Sequence, residues 1–352
     1  CTSVRQFNIQ CPNLSKLHFE SIQSMSELNL VAPKLNQFML HTTNLENMDF
    51  SALITSLQNL KVLDILDCLG FGNLMIKSKS LNELSLYMCS DLEDLSVECD
   101  ALKSMNVDVC MELKSAKVIS PALQNSQWFT LAQPQFPLMN TLQLVSQKLQ
   151  SLSLQRCVNL RNVELKCDKM IALNLADCKL LELLQLQCPQ LEKLALSAPR
   201  VNFTPDMVKE LALNCPRVHM LSLSHAPGLN DESLAMMCEA WHHLQALIIS
   251  NCESLRFPKI SSKSLAGLQL CDCINLNVPE INCPSLGKLF FRNSTALSDM
   301  ALNLLANRTV NLKLLEVVNC PGLVQPRAEL PSLMSSSFTQ CTQLRAPQFF
   351  VP

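Results

Sequence analysis

Eighteen cysteines and six histidines are the residues of this chain whose types could do chemistry. Thiolates and imidazoles ligate zinc, pair as nucleophile and base, or, for cysteine, cross-link the chain. Spacing decides among these. A zinc site wants C-x-x-C pairs, of which there are none, and only Cys271 and Cys273 form a C-x-C. Nine cysteines, Cys68, Cys89, Cys110, Cys157, Cys178, Cys252, Cys273, Cys320 and Cys341, close a recurring frame. Six more, Cys11, Cys99, Cys167, Cys188, Cys215 and Cys283, lie three residues before such a frame begins. Fifteen of eighteen thus keep a structural register, which assigns them to packing as small buried hydrophobes with a weak donor. The histidines, His18, His41, His219, His225, His242 and His243, pair by sequence with no nucleophile, and the carboxylates are too scattered to propose an acid and base pair. G-x-G-x-x-G, P-loop, H-E-x-x-H and G-x-S-x-G are absent. The expectation is a binding module rather than an enzyme, with no cofactor and no metal.

The element that holds the cysteines is a repeat. Residues 80–89 read SLNELSLYMC, 101–110 ALKSMNVDVC, 148–157 KLQSLSLQRC, 169–178 KMIALNLADC and 264–273 SLAGLQLCDC. The shared frame is L-x-x-L-x-L-x-x-C, in a chain where 67 of 352 residues are leucine. Its first apolar position recurs at Leu14, Leu35, Leu60, Leu81, Leu102, Leu123, Leu149, Met170, Leu191, Val218, Leu244, Leu265, Leu286, Leu312 and Leu333, which makes fifteen coils spaced by 21 or by 25 to 27 residues. This is the signature of a leucine-rich repeat. The L-x-L core has period two, so it is a short strand with leucines inward and the intervening residues outward. A second apolar set, such as Leu92, Leu95 and Val97, returns the chain along the opposite wall.

The fold expected is an α/β leucine-rich-repeat solenoid, curved, with a parallel strand row on its concave face. Its returns are mostly extended or irregular, with a few short helices in the 25–27-residue coils. Helices are expected within 226–243 after Asn230 or Asp231, within 204–214 after Thr204 with Pro205 at its first position, and within 297–310 after Ser298. The solenoid is assigned to 1–345 and a C-terminal tail to 346–352. Phe7, Ile9 and Cys11 match Leu95, Val97 and Cys99 in phase, so the sequence opens in mid-coil, and upstream sequence is expected. Ser336 stands at a leucine position in the last coil. The segment 131–138, LAQPQFPL, is expected to bulge from the return wall.

The formal charge of −2 announces no partner sign, and aromatic residues interleaved with lysine and arginine are lacking. No apolar run approaches the roughly 18 residues of a spanning helix. Neither nucleic acid nor membrane is expected as a partner. So many unpaired thiols suit a reducing compartment, cytoplasmic or nuclear. Sequons at Asn13, Asn293 and Asn307 are what an extracellular protein would use, at a number chance would also give.

Binding by a solenoid uses the outward strand row. Between the coils of Leu60 and Leu102 that row is acidic with an apolar centre, and Asp64, Leu66, Asp67, Glu83, Tyr87, Met88 and Asp108 are the candidate partner-binding residues. Apolar side chains on a strand face that should be polar are of the kind that anchors interfaces. The complementary partner is a protein segment bearing basic and apolar residues. Ordinary solvated side chains are the alternative reading. The later row, with Lys193, Lys288 and Arg292 beside Asp272 and Glu316, is mixed.

The frame, the Cys-Pro pairs Cys188-Pro189, Cys215-Pro216 and Cys283-Pro284 before coil starts, and PGLNDESLAMM at 227–237 resemble the cysteine-containing leucine-rich repeats of F-box proteins. The alternation of 21- with 26-residue coils looks most like the plant-type F-box/LRR-repeat protein 15 group. The resemblance covers nearly the whole chain at the level of the repeat. It implies a solenoid that holds a protein substrate, joined through an upstream F-box to the adaptor and cullin of an SCF-type ubiquitin ligase. This chain contains no F-box. An interaction scaffold without a ligase role is the alternative, and a secreted or enzymatic protein is a third.

Overall fold

The computed structural model describes residues 4–45, 48–126, 137–197, 200–306 and 308–350. They form a leucine-rich-repeat solenoid of parallel strands that separates into two compact units, Cys1–Met170 with Leu183–Cys188, and Ile171–Glu182 with Pro189–Pro352. The 131–138 segment falls almost wholly outside the described residues.

In the first unit the front strands Lys16–Glu20, Gln37–His41, Val62–Leu66, Glu83–Tyr87, Ser104–Asp108 and Asn125–Ser126 pair in parallel, each with its counterpart one coil away. Register follows the frame, as in Leu63↔Leu84↔Met105 and Ile65↔Leu86↔Val107. Burial alternates along every full strand, and Leu63, Ile65, Leu84 and Leu86 are at most 2% exposed. One sheet face is thereby fixed as core and the other left open, because a one-residue slip would turn every leucine to solvent.

The returns of the 21-residue coils are strands rather than irregular chain. Asn73–Ser78, Asp94–Cys99, Ser115–Ile119, Thr141–Ser146, Asn162–Cys167 and Leu183–Gln187 make a second six-stranded parallel sheet, and Gln6–Gln10 pairs with Glu27–Val31. Length explains this. Five extended residues span about 17 Å, a distance that takes about eleven helical residues, so a short coil can return only when extended.

Coils with four to six extra residues use them for helices. α1 (Phe50–Ser56) is capped by Asp49, whose carboxylate accepts the Ala52 N–H at 2.9 Å. α2 (Pro205–Asn214) starts on Thr204 with proline at its first position, and α3 (Asp231–Ala240) on a capping box of Asn230 and Ser233. α4 (Asp299–Asn303) is shorter than its sequence suggests, and Ser298 makes no side-chain cap bond. The 26-residue coil from Leu123 departs from the pattern, since its return contains the strand Thr141–Ser146.

In the second unit the front strands run from Ala172–Leu175 to Ser335–Thr339 in one parallel sheet. Behind them α2 packs on α3, and the Trp241 indole N–H donates to the Cys215 carbonyl at 2.9 Å. Short return strands pair as Lys259–Ser261 with Glu280–Asn282 and Arg327–Glu329 with Gln348–Phe350. In the segment read as a tail Phe349 lies opposite Ala328 as another return residue.

Candidate functional site

The same turn recurs at the ends of the front strands. Among the described residues thirteen non-glycine residues have positive φ, including Thr42, Asp67, Met88, Val109, His225, Asp272 and Asn319, and each stands immediately before the frame-closing position. The left-handed residue swings the chain off the strand and leaves the carbonyl two residues before the frame-closing side chain facing that side chain. Cys68, Cys110, Cys252, Cys273 and Cys320 direct their thiols at that carbonyl, at 3.3 to 3.5 Å. Thr43 and Ser294 use hydroxyls for the same contact. A small donor satisfies the turn where one is present, while Ile22 and Ala226 fill the same position without one. Burial holds four of these thiols protonated, pushing Cys68, Cys252 and Cys320 up to about 11 and Cys273 up to about 12. Burial also pushes Cys99, in the return column, up to about 12. Half-buried Cys271 is raised by burial as well.

The turns set the face that lies above them. Parallel register puts Leu66 opposite Tyr87 and Tyr87 opposite Asp108, with Val62 opposite Glu83 and Asp64 opposite Ser85. The candidate residues so form one patch on adjacent strands and turns. Asp64, Leu66, Tyr87 and Asp108 are half-buried, and Asp67, Glu83 and Met88 are exposed. Asp67 and Met88 occupy left-handed positions, which aims them from the turn rather than from the strand. Among the described residues Asp67, Glu83 and Asp108 form neither an ion pair nor a side-chain hydrogen bond, and Asp108 Oδ1 is buried without a partner.

Asp64 differs. His18 Nε2 lies 3.1 Å from His41 Nδ1, and His41 Nε2 lies 3.4 Å from Asp64 Oδ2. One proton pattern serves both contacts: His18 donates to His41, and His41 donates to the carboxylate. Sequence reasoning treated these histidines as unconnected. The signal was present, because His18 is at the fourth and His41 at the sixth position after successive markers, a diagonal pair on parallel strands.

Elsewhere several charges pair within the fold. On the return sheet of the first unit Glu98 lies 3.0 Å from Lys77 and 3.8 Å from Lys117, and Lys114 contacts Glu93 at 2.7 Å. In the second unit Arg292 is 4.0 Å from Glu316. Asn293 there donates to Asp272 at 2.6 Å and accepts from Asn319 at 2.9 Å, so the amide of the 293 sequon is engaged in a side-chain ladder. Asn13 is exposed, and Asn307 lies outside the described residues. On the front of the first unit Asp67, Glu83 and Asp108 stay without such a partner. Among the described residues no group of three or more His, Cys, Asp or Glu converges as a metal cage, and no helix is long and apolar enough to cross a membrane.

No family model matches the chain, and no curated protein matches it. Solved structures similar to it include two complexes. One is the crystal structure of the Rad7 and Elc1 complex in yeast, at 16% identity and a TM-score of 0.34 over 77% of this chain and 78% of that one. The other is the crystal structure of a TLR13–ssRNA13 complex, at 14% identity and a TM-score of 0.25 over 92% of this chain and 63% of that one.

Proposed function

We infer that this chain is a non-catalytic protein-interaction solenoid that holds a partner segment on the front of its first unit. The observation that carries this reading is the set of unmatched carboxylates, Asp67, Glu83 and Asp108, around the half-buried Leu66 and Tyr87. An acidic rim around an apolar centre complements a segment with basic residues flanking an apolar one. Following the resemblance of its cysteine-containing repeats, the chain serves as the substrate receptor of an SCF-type ubiquitin ligase, with an F-box supplied upstream.

Two experiments separate these layers. Random peptides displayed on phage and panned against the whole chain should be enriched in sequences combining lysine or arginine with apolar residues. Glu83→Lys with Asp108→Lys should cut their binding at least tenfold, and Lys77→Glu on the return sheet should leave it unchanged. Peptides that bind the Glu83/Asp108 variant as well as the wild type remove the face from consideration. The protein expressed with its natural upstream sequence should then co-purify with the SCF adaptor and cullin. Their absence leaves the interaction scaffold and withdraws the ligase role.

A further inference from the structure

The turns that close the first three front strands surround a pocket of about 410 Å³. Ser21, Gln23, Thr42, Thr43, Asn44 and Asp67 supply its polar wall, Ile22 and Leu69 its apolar one, and no lysine or arginine lines it. Asp67 belongs both to this pocket and to the patch formed with Leu66 and Met88, so the pocket continues that face.

The hydrogen bonding around the pocket is one-sided. The N–H of Ser21 is taken by the His41 carbonyl at 3.0 Å, that of Thr42 by Leu66 at 2.8 Å, and that of Asp67 by Tyr87 at 2.8 Å. Asn44 and Leu69 spend theirs on Ile22 and Thr43. The Thr43 hydroxyl donates to the His41 carbonyl at 2.9 Å, which leaves its oxygen as an acceptor. Among the described residues the carboxylate of Asp67 and the hydroxyls of Ser21 and Thr42 make no side-chain hydrogen bond. An anion entering here would find five of the backbone donors occupied and the carboxylate of Asp67 facing it. A bare metal ion would find a single carboxylate in a space far wider than the 2.0–2.6 Å shell it needs. What fits is an extended cation with several donors and an apolar stem.

We propose that this pocket receives an arginine side chain of the partner segment, its guanidinium on Asp67 with the hydroxyl oxygens of Ser21, Thr42 and Thr43 as further acceptors, and its alkyl stem against Ile22 and Leu69. A guanidinium presents five donors in a planar fork and is more weakly hydrated than an ammonium, which suits several acceptors on one wall. The proposal deepens the interaction reading above and rests on it for the identity of the ligand as part of a protein.

The test uses the whole chain and single-residue probes followed by NMR. Nα-acetyl-arginine methylamide should shift the resonances of Thr42, Thr43 and Leu69, and bind at least fivefold more tightly than the acetyl-citrulline analogue, which keeps the shape and loses the charge. Asp67→Asn should abolish that preference. Asparagine tolerates the left-handed backbone at this position, so the turn survives the change, and an unchanged melting profile confirms it. Glu98→Gln, on the return sheet, should leave the arginine probe unaffected. Equal binding of the arginine and citrulline probes, or an arginine affinity indifferent to Asp67→Asn, overturns the assignment. That failure is distinct from failure of the face. Selected peptides that obey Glu83 while the arginine probe ignores Asp67 sink the pocket alone, and the reverse pattern sinks the face alone.

Discussion

Val109 sits at φ +56, a conformation that costs a β-branched residue about 1–2 kcal/mol. Asp67, Asp177, Asn251, Asp272, Asn293 and Asn319 fill the same place in other coils, and Asn and Asp tolerate it. Val109→Asn should therefore stabilise the first unit by about 1 kcal/mol. The converse change, Asn319→Val, should cost about 2 kcal/mol, because it adds the strain and removes the donor to Asn293 at 2.9 Å. Urea unfolding of each variant measures both, and a Val109→Asn protein no more stable than wild type would show that the turn is unstrained. This column was not legible in the sequence. Thr42, Met88, Arg156, His225 and Gln340 occupy it as readily as Asn does, since the turn is imposed by the strands before it and the hydrogen-bonded column after it rather than by local preference.

At the scale of elements, helices are tied to the next coil by one carboxylate. Asp231 at the start of α3 accepts the N–H groups of Arg256 and Phe257 at 3.0 and 2.9 Å, and Asp299 at the start of α4 accepts those of Val324 and Gln325 at 2.8 and 2.9 Å. Each satisfies two backbone donors one coil onward while lying in its own helix's first turn, where negative charge is favoured. Asp299→Ala should cost about 2–3 kcal/mol, and Ser298→Ala, which removes no side-chain cap bond, less than about 0.5. The ordinary cap rule gives the opposite ranking, so urea midpoints of the two variants decide whether the helix or the junction between coils is being held. The frame and its phase could be read directly, as could α2 and α3, whose caps stand in the sequence as Thr204-Pro205 and as Asn230 three residues before Ser233. α1 could not be singled out, since Phe50–Ser56 has no proline and a single turn of apolar spacing. The patch from Asp64 to Asp108 followed from the frame, but the His18–His41–Asp64 chain did not, because it alternates between the fourth and sixth positions of three coils and depends on a diagonal that only the register reveals.

Over the whole molecule the thiols become a collective term. Cys68, Cys99, Cys157, Cys238, Cys252, Cys273, Cys283 and Cys320 are all pushed by burial from an ordinary value near 9 up to about 11 or 12. Below pH 9 both folded and unfolded chains keep these protons, and the thiols add no pH dependence. Above it the unfolded chain releases them and the folded chain does not, so stability is full below pH 9 and is lost as pH rises towards 11 to 12. At pH 10 each thiol removes on the order of 1 kcal/mol, so stability falls steadily as pH rises above about 9. Repeat units that contact only their neighbours need not unfold in a single step, so the proton count is a better observable than a midpoint. Denaturation in a pH-stat at pH 10 should release roughly six to seven protons from the thiols, and changing Cys99, Cys157 and Cys273 to alanine should lower that by about 2.5. An unchanged release would mean that these sulfurs ionise in the folded chain. The cysteine columns would then be open to solvent, and the packing role assigned to them would fail along the whole repeat.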